Sequence, residues 1–313
     1  MLQRLLLAPV TLVGVTLAVF IMVDLSPNDP SFARLGMFAS AETREQFAEE
    51  HGLDDPLLIR YWRFLLEVGR LDFGESVVRS ETVGELISRA LPISIQLMLL
   101  SVAMAAVLAL VLGVLAAWME GRATDRVISG LVAGIHAAPD FWVGLLLIQV
   151  FAVGLDVLPS GGFTPISYGF GPWLSSVIGP ATVLALGTMA VLARIVRASM
   201  ADELAKDYVV TARGGGVSWP VVLFRNVLRN ALITPITVLG VIIGSLMSGA
   251  VLVETIFNIP GMGNLLITGV NQGDLGVVRG VTIVAAATFV VTNLIVDLLY
   301  LGLSPQSAEA SES

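Results

Sequence analysis

The side chains able to do chemistry in this sequence are few, and most stand inside apolar runs. His136 and Asp140 are four residues apart, as are Asn293 and Asp297. That spacing puts each pair on one face of a helix. A polar or charged group within an apolar span is costly and generally faces a cavity or a partner. His136, Asp140, Asn293 and Asp297 are therefore candidates for a pathway or a gate. A structural reading competes with each: a locally capped helix break at Pro139 for the first pair, a buried hydrogen bond for the second. Glu254 ends another apolar run. The loop after it contains Pro260, Gly261 and Gly263, which favour a turn over a helix.

Catalysis has little support. The chain has no cysteine, two histidines and no G-x-S-x-G elbow around a serine, so thiol chemistry is excluded and a serine triad is disfavoured. With only His51 and His136, a multi-histidine metal site is disfavoured as well. A phosphate-binding loop needs Gly-Lys-Ser/Thr. The only lysine, Lys206, follows Ala205. If ATP drives this protein, another polypeptide binds the ATP and its Mg, and this chain holds no cofactor.

In the C-terminal two-thirds of the chain, the only long polar interval lies between Arg194 and Arg229. The interval holds Lys206 with Arg194, Arg197, Arg213, Arg225 and Arg229. Its spacing predicts two short helices. Ser199 is an N-cap candidate with Asp202 and Glu203 in the first turn. Ala201, Leu204, Ala205, Tyr208 and Ala212 then line one face. Arg213 suits the C-terminal end and Gly214-Gly215-Gly216 stops the helix. Ser218 caps the next helix, with Trp219 and Pro220 in its first turn. On pattern alone, an amphipathic connector at the membrane surface fits as well as a partner-binding helix.

The elements that position these residues are membrane spans. Of 313 residues, 56% are hydrophobic and 13% charged, and the mean hydropathy is +0.87. Soluble domains carry about 25% charged residues. The composition is that of an all-α polytopic membrane protein. A net charge of −8 without a basic stripe argues against nucleic acid. Six spans are predicted: Leu5–Val23, within 90–119, 127–155 broken at Pro139-Asp140, 173–193, 230–253 and 280–303. The division is a first helix over 1–24, an extracytoplasmic segment over 25–90, a five-helix core over 91–303 and a disordered tail over 304–313. Within the polar segment, 41–51 and 57–68 read as short helices and 70–76 as a turn. One side carries nine basic residues: Arg4, Arg122, Arg126 and the six between 194 and 229. The short loops opposite carry only Arg279. The positive-inside rule then places both termini and the 194–229 loop in the cytoplasm.

Motifs along nearly the whole chain resemble one family. DYVVTARGGG followed by VLFRNVLRNALITPITVLG is similar to the cytoplasmic "EAA" loop of ABC importer permeases, in its dipeptide, oligopeptide and nickel class. LSPNDP at 25–30, HGLDDPLLIRYW, RLDFGES, PDFWVGLLL, VETIFNIPGMGNLL and NLIVDLLY resemble further elements of that class, in its order. The chain departs from the pattern at Asn28, at Gly214-Gly215-Gly216 in place of A-K-G, at Asn226, and in lacking D-P-R after the last span.

The resemblance implies a type I ABC importer permease of the bacterial inner membrane that moves di- or oligopeptides by alternating access. It implies a second, homologous permease, two ATP-binding subunits, an extracytoplasmic substrate-binding protein and surrounding membrane lipid as partners. It makes 199–213 the coupling helix. The residues it assigns to the coupling loop are Asp202, Leu204, Asp207, Tyr208, Thr211, Ala212, Arg213 and Gly216. The alternative from another class is an ion-coupled secondary transporter of small solutes, which needs polar groups near mid-membrane.

Overall fold

A computed structural model describes residues 2–24, 40–50 and 55–303. In chain order its helices are α1 (Leu2–Asp24), α2 (Ala41–Glu50), α3 (Leu57–Gly69) and α4 (Val83–Trp118). Next come α5 (Ala123–Ala137), α6 (Asp140–Gly154) and α7 (Phe170–Leu204). The last are α8 (Asp207–Gly214), α9 (Trp219–Ala231), α10 (Ile233–Ile256), α11 (Met262–Gln272) and α12 (Leu275–Leu303). LSPNDP, His51 and the 304–313 tail lie outside the described residues.

Helices α4, α7 and α12 each carry a stretch long and apolar enough to cross a membrane. The pairs α5/α6 and α9/α10 do so together, bent by 101° and 47°, and α1 contains the apolar run Pro9–Met22. Proline causes the first bend. Pro139 forces the preceding Ala138 out of the helical region, to φ −79°, ψ 132°. At the second, the ring of Pro235 in the first turn of α10 opposes the carbonyl four residues back, that of Ala231. His136 therefore ends one helix and Asp140 starts the next. They do not share the helical face that their spacing predicts.

Three more boundaries differ from the sequence reading. Helix α4 begins at Val83 rather than near residue 90, because Thr82 and Glu85 cap it reciprocally. The Glu85 amide donates to Thr82 Oγ1 at 3.2 Å, and the Thr82 amide donates to Glu85 Oε2 at 3.1 Å. Helix α12 begins at Leu275 rather than Gly280, with Asp274 Oδ1 accepting from the Val277 amide at 3.2 Å. Residues 262–272 form α11 rather than a turn, with Gly261 at its N-cap and Gly263 inside it. The helix needs only its first N–H groups left free at Gly261, a requirement that glycine and proline do not oppose.

The chain divides into two compact units. One comprises residues 1–93 and 260–290. Its core gathers Phe20, Phe64, Phe73, Val83, Met262 and Val281. Gly276 and Gly280 lie one turn apart on α12. A methyl group at Gly280 would lie 2.6 Å from Val83, and one at Gly276 3.0 Å from the Glu75 carbonyl. The small pair lets α12 approach the start of α4. The buried Ser76 hydroxyl donates to Asp274 at 2.5 Å, which ties the 70–82 loop to α12.

The other unit comprises residues 94–259 and 291–313. Helix α7 is its centre, with Ala185, Met189, Leu192 and Ala193 buried against Ala105, Ala109 and Val132. Phe257, 3% exposed, is wedged between glycines. A methyl at Gly144 of α6 or Gly179 of α7 would stand 3.4 or 3.3 Å from its ring. The Gly162 amide donates to its carbonyl at 2.8 Å.

Candidate functional site

The site is the turn from α7 into α8. Helix α7 does not stop before Ser199. It runs on to Leu204, so Ser199 is interior and Asp202 and Glu203 occupy the last turn rather than a first one. Lys206, extended at φ −75°, ψ 148°, breaks the chain before α8. A carboxylate in the last turn opposes the helix dipole. Glu203 is nevertheless 6% exposed, because three donors converge on it. The Tyr208 hydroxyl donates to Oε1 at 2.9 Å and the Asn230 amide at 3.2 Å. The Lys206 ammonium sits 2.6 Å from Oε2. One carboxylate thus joins the end of α7, the start of α8 and the end of α9. Hydrogen bonding to Glu203 raises the Lys206 ammonium above its ordinary value. Burial, then Glu203, raises the Tyr208 phenol.

Helix α8 has two unlike faces. Val209 is 4% exposed, and Leu204, Tyr208 and Ala212 pack with it on Val196, Met200, Val222 and Val227. Asp207, Val210, Thr211 and Gly214 recur at i, i+3, i+4 and i+7, and all four are exposed. Val210 is 68% exposed. Asp202 is exposed too, at the end of α7. The glycine triplet ends α8 in a Schellman turn. Val217 N–H bonds the Ala212 carbonyl at 3.1 Å and Gly216 N–H that of Arg213 at 3.1 Å. Gly216 alone of the three has a positive φ, +82°. The Arg213 guanidinium lies over the Trp219 ring, 5.0 Å from its centroid, which fixes the chain after the turn.

A second anchor lies seven residues before Leu204. Arg197 Nε and Nη2 donate to the two oxygens of Asp125, at 2.7 and 2.8 Å. The Gly121 amide and the Ser129 hydroxyl also donate to Asp125, at 3.1 and 3.2 Å. Asp125 is 5% exposed. This fork joins the start of α5 to α7 in a fixed geometry that a lysine would not reproduce. Sequence reasoning missed Glu203 as a hub, Asn230, and the Asp125–Arg197 pair. Asp125 and Arg197 are 72 residues apart, so no local spacing reports them.

The remaining candidates are scattered. His136 and Asp140 are both exposed, and the Asp140 carboxylate faces Gly187 of α7, where a methyl would lie 3.2 Å from it. Glu254 is fully buried in α10 and accepts from the Ser94 hydroxyl at 2.6 Å. Pro260, Gly261 and Gly263 stand at the start of α11. Asn293 is half-buried in α12, and the Asp297 side chain lies outside the described residues.

Comparison with known proteins gives this arrangement a family. The description "Binding-protein-dependent transport system inner membrane component" matches residues 109–308, and its N-terminal counterpart matches residues 1–98. The oligopeptide transport system permease protein AppB of Bacillus subtilis is 38% identical over 97% of both chains. A putative peptide transport system permease protein of Brucella abortus is 36% identical over 95% of both. The glutathione transport system permease protein GsiC of Salmonella paratyphi A is 35% identical over 97% of both. Among solved structures, an amino acid ABC transporter crystallised with histidines superimposes with a TM-score of 0.51 at 17% identity. It covers 69% of this chain and 91% of that one, which shows a shared fold. The chain is all-α, with the type I permease fold, and it belongs to the inner-membrane components of binding-protein-dependent transport systems.

Proposed function

We propose that this chain imports peptides as one of two homologous permeases, powered by two ATP-binding subunits and supplied by an extracytoplasmic binding protein. The observation that carries the reading is α8. It is a short helix locked to α7 and α9 through Glu203, with its Asp207, Val210, Thr211 and Gly214 face open to a partner. With its apolar side held by its own chain, the helix offers a narrow outer face of small and polar residues that can enter a cleft on another protein. Leu204, Tyr208 and Ala212 would set its pose from behind, Arg213 and Gly216 its end, and Asp202 its rim. The relatives named for oligopeptide, peptide and glutathione transport support a peptide-like substrate. They do not favour the ion-coupled alternative. ATP and Mg would be bound by the partners, since Lys206 is in no phosphate-binding loop. The basic residues concentrated at 194–229 support a cytoplasmic position for α8 and for both termini.

Rigid-body motion of the ATPases would then reach α7 through Glu203 and α5 through the Asp125–Arg197 fork. Both are discrete contacts on nearly buried carboxylates, of the kind that carry coupling between sites. The test is Val210→Arg and, separately, Gly214→Arg, in the complete complex reconstituted into vesicles. The expected result is membrane insertion unchanged and ATP-driven peptide uptake down at least tenfold, with ATPase subunits lost on purification. Normal uptake by both variants would overturn the assignment of this face.

A further inference from the structure

The chain's second described surface element outside the spans is α3, and its apolar surface exceeds what the protein covers. Its inward face carries Phe64, 4% exposed, with Tyr61 and Val68 packed beside it. Leu58, Ile59, Trp62 and Leu66 recur at three- and four-residue spacing on the other side. They are 76%, 51%, 64% and 48% exposed. The polar residues Arg60, Arg63 and Glu67 form a narrow edge between the two. A helix in water would show the reverse, a wide polar face and one apolar stripe.

The depth of α3 follows from what its inner face touches. The Tyr61 hydroxyl donates to the Val13 carbonyl at 3.0 Å and lies 3.0 Å from the Thr16 hydroxyl. Val13 is equidistant from Leu2 and Asp24, the ends of α1. The Phe64 ring stacks on Phe20 with centroids 5.5 Å apart. Phe20 lies about 10 Å further along the α1 axis than Val13. Half of a bilayer's hydrocarbon core is about 15 Å thick. The contacts of α3 therefore fall between the middle of α1 and one boundary of the hydrocarbon. The exposed side of α1 itself is apolar there, with Val13 and Met22. The charges of α3 are accommodated. Arg63 pairs with Asp55 at 2.7 Å, and the Arg60 guanidinium lies over the Phe20 ring at 6.0 Å.

We propose that α3 is immersed in the lipid of that leaflet, with Leu58, Ile59, Trp62 and Leu66 among acyl chains and Arg63 at the water boundary. The lipid surface of α1 continues onto α3, which makes acyl chains the fitting occupant. A water-soluble binding protein would cover α3 only where it stood clear of the bilayer. This changes the role of the polar segment: α3 widens the membrane footprint of α1, and the following 70–82 loop is left to face water. Trp62, with an apolar ring and one N–H donor, suits the boundary region of a bilayer.

The absence of native cysteine makes the test direct. Leu58→Cys, Leu66→Cys and Arg63→Cys, each carrying a nitroxide, are placed in the complete complex in phospholipid vesicles. Peptide uptake confirms that each variant has assembled. Collisions with molecular oxygen and with a water-soluble nickel chelate are then measured. Oxygen collisions high and chelate collisions lost at 58 and 66, with the chelate reaching 63, is the expected result. Chelate access at 58 and 66 would overturn the proposal in favour of an aqueous face. Exclusion of both probes there would overturn it in favour of a protein partner. A cysteine-free measurement supports the same decision: brominated acyl chains should quench the emission that Trp62→Phe removes, and unquenched emission would overturn the proposal.

Discussion

At the scale of single residues, Glu203 and Gly216 carry the candidate site. Hydrogen bonds that involve a charged group contribute about 1.5–3 kcal/mol each, and Glu203 receives two of them plus an ion pair with Lys206. Glu203→Gln keeps the size and one acceptor oxygen but loses the charge. The expected outcome is ATP hydrolysis maintained and uptake reduced several-fold, read as the ratio of peptide transported to ATP consumed in vesicles. An unchanged ratio would show that Glu203 is structural only. The glycine triplet separates by the same logic. At Gly216, φ is +82°, so Gly216→Ala should cost about 1 kcal/mol. At Gly214 nothing lies within 4 Å of an added methyl, and Gly214→Ala should gain up to about 1 kcal/mol of helix propensity. Thermal unfolding of the purified complex should therefore move in opposite directions for the two variants.

At the scale of elements, the long α7 is the part that moves or resists as one piece. Its 35 residues pass from the apolar core to the α8 turn without a break, despite Pro180, whose surroundings are buried. The Asp125–Arg197 fork fixes its polar end to α5. Removing one partner of a buried pair strands the other charge, which is strongly destabilising, by about 3–5 kcal/mol when both are fully desolvated. Arg197 is one-third exposed, so a smaller loss applies here. Asp125→Asn and Arg197→Lys should each lower the unfolding temperature, and the double variant should lose less than their sum. A double-mutant cycle with a coupling energy of about 0.5–3 kcal/mol is the expected reading. Strict additivity would mean that the fork contributes nothing beyond its separate groups.

At the scale of the whole molecule, the prediction concerns orientation. Nine basic residues on one side against Arg279 on the short loops opposite should hold both termini in the cytoplasm. Reporter fusions that fluoresce only in the cytoplasm should be bright at either end, and one dark end would require a different number of crossings. The spans themselves show how far one chain's sequence reaches. Apolar runs marked the segments that the structure folds into α4, α7, α12 and the bent pairs α5/α6 and α9/α10, because twenty apolar residues have few other stable homes. The sequence could not show that 127–155 bends by 101°. A proline marks where a helix is interrupted, and the angle depends on what each half packs against.

What the sequence by itself determined is the class of the protein, its polar loop and the glycine stop after Arg213. These follow from composition and short-range spacing, which report on solvent and on local backbone preference. The single helix expected over 199–213 is divided at Lys206 between the end of α7 and α8. The tertiary structure decided where α7 ends. Its last turn reads in the sequence as the first turn of a new helix capped at Ser199, and it continues α7 instead because Asp125, Tyr208 and Asn230 satisfy Arg197 and Glu203 from other elements. It also decided the direction each α8 side chain takes, turning Ala212 inward and Val210 outward. It placed α3 against the C-terminal half of α1, with the Tyr61 and Phe64 rings on Phe20 and the Tyr61 hydroxyl on Val13. Each of these depends on groups far apart in the chain. Local pattern carries no information about such pairs, and their energies override local propensity once the chain has packed.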